Sequence, residues 1–270
     1  MQERIELMAH WITEREAIRV KKEAGATPPW TSDPILANYR FCNVRREDDK
    51  VTKWISENWR TPFQESKNLT AAIVLSRLLN NPECLDEVGF PALWNNVEIR
   101  ERIKARRDRG LKILNPAYVV TTCGVSMDKV DYIVDLATKI FSSGLAPVMG
   151  DTLEYFHSKL MEFKGLGTFL AAQVVADLKY VEPLRSALDW QTWAAVGPGS
   201  LRGLRAVTGI PDLPEGHFLR VAQKVYAQVF EITQIPLHMQ DFQNCLCEFS
   251  KYWKAHSGQG TPKQRYHASR

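Results

Sequence analysis

Apolar residues recur at helical spacing along almost the whole chain. Ile5, Met8, Trp11, Ile12 and Ile18 trace one face of a segment running from residue 2 to 24, while Glu14, Arg15, Glu16, Arg19, Lys21 and Lys22 fall outside it. The same period predicts helices over 68–80, 127–140, 153–163, 168–180, 217–230 and 240–252. Gly25 to Trp30 breaks the first of them, and Thr31-Ser32-Asp33-Pro34 reads as a new start, with Ser32 or Asp33 as cap and Pro34 in the first turn. Residues 35–55 are apolar at both ends and densely polar between, which predicts helix, loop and helix. Residues 83–109 read as a short helix, a Gly-Phe-Pro turn and a strongly charged helix, and 112–122 as a β-hairpin arm or an extended loop. The pattern therefore predicts an all-α protein, one unit over 1–270 in two helical lobes with a cleft. Its parts are an N-terminal helix and loop (1–30), a core (31–205), C-terminal helices (206–256) and a tail (257–270) that is either a disordered end or a basic arm along DNA.

The pattern changes most sharply at 163–180. Gly165 and Gly167 interrupt it, and Leu170, Ala171, Val174, Val175 and Leu178 resume it as one apolar stripe. Two glycines one residue apart let a backbone turn sharply and lie bare, and the unpaired first-turn amides of the next helix, with its positive dipole end, suit a phosphate. Lys164, Gly165, Gly167 and Thr168 are the candidate phosphate contacts; an ordinary helical hairpin without a ligand is the competing reading. Gly197-Pro198-Gly199-Ser200 offers either a second backbone nest, with Arg202 or Arg205 for phosphate, or a plain glycine turn. No Gly-x-x-x-x-Gly-Lys-Ser/Thr string occurs, so the chain carries no nucleotide-phosphate loop of that kind.

Two charged stretches leave a choice open. Asn43, Arg45, Arg46, Glu47, Asp48 and Asp49 form either a solvated cluster or a site where arginine meets phosphate or base and Asn or Asp reads a base edge. Arg100, Arg102, Lys104, Arg106, Arg107 and Arg109 are either a phosphate-facing patch or a solvated face. The formal net charge of +4 permits nucleic-acid binding through a local patch without demanding it. The five cysteines have no zinc or iron–sulfur spacing and suit reduced thiols; with no signal-peptide core and no membrane-length apolar run, the expectation is a cytoplasmic protein with no metal and no cofactor.

Asp189 follows Gly167 by 22 positions, in Ala187-Leu188-Asp189-Trp190. A glycine hairpin followed at this distance by an aspartate resembles the helix-hairpin-helix DNA glycosylase superfamily. A narrower resemblance runs nearly end to end, carried by Pro29–Leu36, Arg40–Asp49, Ala172–Lys179, Gly197–Ser200 and Gln243–Phe249. These strings look like the helical domain of 5-hydroxymethyl-deoxyuridine DNA kinases, linked to hypermodified pyrimidines in bacteriophage DNA. That domain is similar to glycosylase-like proteins of thymine hypermodification and to anti-phage glycosylases. The resemblance implies a helix-hairpin-helix glycosylase-like fold. It implies a monomeric enzyme on double-stranded DNA with modified bases, cleaving the N-glycosidic bond of a hypermodified or glucosylated hydroxymethyl pyrimidine in phage defence. The alternatives are an amino-acid:DNA transferase, another hypermodification protein, or a non-catalytic DNA-binding helical module. Asp189 would be the catalytic carboxylate. Tyr39, Asn43, Arg45, Arg46, Asp48, Asp49 and Trp190 would line the pocket of a flipped base, and Arg202 would join the hairpin on DNA. Bifunctional members carry a lysine where this chain has Phe169, so a monofunctional enzyme is expected.

Overall fold

The computed structural model describes residues 1–115, 120–262 and 264–266. Twelve α-helices occur among them, and the only β-type pairing described is one antiparallel bridge between Tyr39 and Arg265. The predicted arm over 112–122 falls partly outside the described residues; its described flanks hold no strand. No described helix is long and apolar enough to cross a membrane. The chain divides into two compact units, one of residues 1–49 and 191–270, the other of residues 50–190.

In the first unit, α1 (Gln2–Glu23) lays the predicted stripe of Ile5, Met8, Trp11, Ile12 and Ile18 against α10 (Pro198–Thr208), α11 (Phe218–Thr233) and α12 (Met239–His256). The short α2 (Pro34–Asn38) starts as its sequence predicts: Asp33 Oδ1 accepts the Ile35 and Leu36 amides, and Asp33 Oδ2 accepts the Tyr252 hydroxyl at 2.7 Å. Residues 264–266 of the tail pair back onto residues 38–40.

The Gly-Pro-Gly-Ser string forms neither a backbone nest nor a plain glycine turn but the start of a helix. Pro198 opens α10, and the Ser200 hydroxyl accepts the Gly197 amide at 3.1 Å, closing the first turn. Its glycines answer to α12. A Cβ on Gly199 would lie 2.4 Å from Cys247 Sγ, and one on Gly203 would lie 1.9 Å from the Leu246 carbonyl oxygen. Two bare positions four residues apart on one face let the two helix backbones approach. Gly203→Ala would drive a methyl into a backbone carbonyl that cannot rotate away, and is expected to cost about 3 kcal/mol, the upper end for overpacking. Urea unfolding checks this; a loss under about 0.5 kcal/mol, the range of ordinary surface substitutions, would contradict it.

In the second unit, α4 (Leu69–Leu79) is buried along its whole length and packs against α7 (Lys129–Ser143) and α9 (Thr168–Leu178). A helix apolar on nearly every side has to be central. Asn80 ends it in the left-handed conformation, and Asn81-Pro82 begins α5 (Pro82–Val88), where Asn81 caps the Cys84 amide. The charged helix α6 (Asn96–Asp108) lies between α5 and α7. Arg100 binds Asp131 and Asp135, Lys104 binds Asp131, Arg106 binds Glu83 and Glu87, Arg107 binds Asp128, Arg102 binds Glu98, and Arg109, just past the helix, binds Glu87. All six cations of the candidate phosphate patch are thus paired with carboxylates of their own unit.

Candidate functional site

The hairpin of the second unit joins α8 (Leu153–Met161) to α9, as the glycine pattern predicts. Its two glycines differ in what the fold asks of them. Gly165 has φ +115°, and a Cβ there would fall 2.4 Å from the Tyr132 hydroxyl, so backbone and packing both require it. Gly167, the cap of α9, has φ −74°, and a Cβ there would meet nothing within 4 Å. Nothing among the described residues demands glycine at 167. Among the described residues no side-chain hydrogen bond caps the N-terminus of α9 at Gly167. Lys164, Gly165, Gly167 and the half-exposed Phe169 line an open groove of about 500 Å³ with Thr121 and Cys123. Thr168 is exposed, its hydroxyl 3.6 Å from Met161 Sδ and its carbonyl 3.0 Å from His157 Nε2; burial holds the His157 pKa down.

Asp189 belongs to the same unit and has a definite task there. Oδ1 accepts the Leu153 amide at 2.7 Å and Oδ2 the Glu154 amide at 3.0 Å, so both oxygens cap the N-terminus of α8. Trp190 is anchored beside it. Its indole donates to the Lys179 carbonyl at 2.6 Å, and the Lys179 ammonium lies 4.3 Å from its ring centroid.

The polar loop 39–49 belongs to the first unit, and the fold brings the predicted residues of that loop together with partners from α1 and α12. Arg15 on α1 donates from Nε to the Cys42 carbonyl at 3.0 Å and from Nη2 to Asn43 Oδ1 at 2.5 Å. The Asn43 amide side chain donates to the Asp48 carbonyl, Arg45 binds Glu16, and Arg19 binds Asp48. From α12, Glu248 accepts the Cys42 amide at 3.1 Å and Asp241 accepts the Arg46 amide at 3.0 Å. Asn43, Arg45 and Asp48 therefore spend their polar ends on holding the loop. Asp49 is different. One oxygen accepts the Asn43 amide at 3.1 Å, and no other hydrogen bond to its carboxyl is present among the described residues. Desolvation, helped by the Glu248 charge, pushes its pKa up against the opposing pull of Arg46 and Arg15. The same surroundings, with Glu248 and Asp49, push the Cys42 thiol up, so it is no ready thiolate. What the arrangement offers is one carboxyl group kept protonated to higher pH than usual, beside Arg15, Arg46 and a Glu248 that is itself bound by Lys251.

Tyr39 lies at the edge of the loop, on a cavity described below. Arg202 lines a different groove, with Arg4, Arg205 and Lys254. Arg15, Glu248 and Lys251 went unmarked as site residues in the sequence, since they stand nearly 30 and more than 200 positions from the loop they serve.

The fold and these sites define an all-α protein with a glycine helical hairpin in one unit and a carboxylate-bearing polar loop in the other. The family model described as "5-hmdU DNA kinase, helical domain" matches residues 2–261, and the chain belongs to that family. It is 27% identical over 210 residues to a protein of Bacillus phage SP10 named 5-hmdU DNA kinase, a match covering 68% of this chain and 32% of the phage protein. The matched region thus spans about a third of that relative's length. No solved structure matches.

Proposed function

We propose that this chain is the DNA-handling helical unit of a base-hypermodification system, recognising a 5-hydroxymethyl-pyrimidine-derived base in duplex DNA. The observation that carries this is membership of a helical-domain family named for a DNA kinase, in a chain that matches only a third of such a kinase and has no phosphate loop. The second unit contributes a backbone grip at the Gly165–Gly167 turn. The first contributes the loop of Tyr39, Asn43, Arg45, Arg46, Asp48 and Asp49 for the extruded base, with Arg202 as a further phosphate contact. A base must leave the stack to be handled in this way. The hairpin is tested by Gly167→Asp. Aspartate is a favoured helix cap and has open space there, so stability should hold or rise, while its charge repels phosphate. Duplex affinity should fall tenfold or more and the salt slope should shrink by about one. Unchanged affinity in filter binding would refute the grip.

A second reading adds chemistry, and the state of Asp49 favours it. A half-buried carboxyl with a raised pKa suits proton transfer, to a leaving base in glycosidic cleavage or from an attacking group in transfer onto the base. Asp189, first choice for that role on its distance from the hairpin, would have to release two backbone amides to act. Base release here would leave an intact strand, because Phe169 stands where a Schiff-base lysine would be needed.

A further inference from the structure

A cavity of about 250 Å³ opens in the first unit beside the polar loop, walled by Trp30, Tyr39 and Tyr266 and edged by Arg15, Lys22 and Arg40. Among the described residues no carboxylate lines it. Arg15 Nη1 is buried and has no acceptor among the described residues, although the other two nitrogens of that guanidinium are used by the loop. The Lys22 ammonium lies over two ring faces, 4.6 Å from the Trp30 centroid and 4.1 Å from that of Tyr266. A buried donor left without an acceptor is costly, and an anion would relieve it.

We propose that this cavity binds a single nucleotide, its base on the aromatic wall and its phosphate held by Arg15, Lys22 and Arg40. Aromatic surface together with cations and no acids is the composition that binds a base and its phosphate. An amino acid or polyamine is disfavoured, because its ammonium would find no carboxylate. The volume lies just below the range of drug-sized pockets, room for one nucleotide and no second. Arg15 couples the site to function: the guanidinium that would meet the phosphate also holds Cys42 and Asn43, and so sets the loop that carries Asp49. The C-terminal strap completes the wall, with the Arg40 amide on the Gln264 carbonyl at 3.1 Å and the Tyr266 amide on the Asn38 carbonyl at 2.8 Å. The nucleotide is either free or one residue of a DNA strand; only the second source rests on the DNA-handling reading.

The test is calorimetric titration of the full chain with thymidine monophosphate, with thymidine and inorganic phosphate as separate probes. The expected Kd is below about 1 mM for the nucleotide, and each fragment should bind at least tenfold more weakly. Tyr266→Ala removes one wall and Lys22→Gln one cation; both should weaken the nucleotide tenfold or more at an unchanged melting temperature. No binding by the wild-type chain, equal binding by both variants, or phosphate binding as tightly as the nucleotide would overturn the proposal. Single-stranded oligothymidylate distinguishes the sources: displacement of the nucleotide assigns the cavity to a residue of DNA, and no displacement assigns it to a free nucleotide. The titration contains no duplex, so its failure leaves the hairpin grip untouched, and failure of the Gly167→Asp test leaves the cavity untouched.

Discussion

Asp177→Ala is expected to destabilise the second unit by about 3–5 kcal/mol, the cost of breaking a buried ion pair from one side. Asp177 is fully buried on α9 and Arg77, 2% exposed, sits on the central helix α4. They meet through two bonds, Arg77 Nε to Oδ2 at 2.6 Å and Nη2 to Oδ1 at 2.5 Å, and Nη2 also reaches the Thr52 hydroxyl at 3.0 Å. Removing the carboxylate leaves a guanidinium in the core facing a cavity. Replacing both partners, as in Arg77→Met with Asp177→Leu, should recover much of the loss, because two apolar side chains need no compensation there. Denaturant unfolding with hydrogen exchange localised to residues 50–190 measures both. A single-variant loss below about 1 kcal/mol, the scale of an exposed ion pair, would show that this pair does not hold α4 to α9.

Asp177 also marks how far the sequence is legible. The period showed that it falls off the apolar stripe of α9, but a residue off the stripe reads as solvent-facing, and its partner is 100 positions away. Whatever is local was readable: the face of α1, the Asp33 cap before Pro34, and the glycine hairpin with its helices on either side. Whatever depends on a distant element was not. Gly199 and Gly203 look like a loop because the reason for them lies on α12, more than 40 residues on. The cations of α6 look like a patch because most of the acids that neutralise them belong to α5 and α7. Asp189 stands at a suggestive distance from the hairpin, yet its two amide partners lie 35 and 36 positions before it. The Asn43–Asp49 loop was legible as a dense run of functional groups. The division of labour within it, three residues holding the loop and Asp49 left with a free oxygen, follows from partners on other helices.

Asp49→Asn is expected to slow conversion of a modified base by about a hundredfold or more, the usual worth of a positioned acid or base. The readout is the mass of the nucleosides released from a duplex with one 5-hydroxymethyl-uracil-derived base after a single turnover. It registers base loss and group transfer alike. Instability cannot account for the loss. A raised folded-state pKa contributes stability that is present below the ordinary aspartate value of about 3.9 and lost as pH rises through the folded value. Asparagine carries no charge at any of these pH values and still accepts the Asn43 amide, so the variant should be at least as stable as the wild-type chain at neutral pH. Full conversion by the variant would remove Asp49 from the chemistry.

Handling of a modified pyrimidine in DNA by the Asn43–Asp49 loop is read from a ratio of affinities. Duplexes identical except for one 5-hydroxymethyl-uracil-derived base are titrated against the wild-type chain and Asp49→Ala. The wild-type chain is expected to prefer the modified duplex by about tenfold or more, the worth of a good base contact. In Asp49→Ala that preference should collapse towards one while affinity for the plain duplex is unchanged. Equal affinity of the wild-type chain for both duplexes, or a preference that survives in the variant, would contradict it.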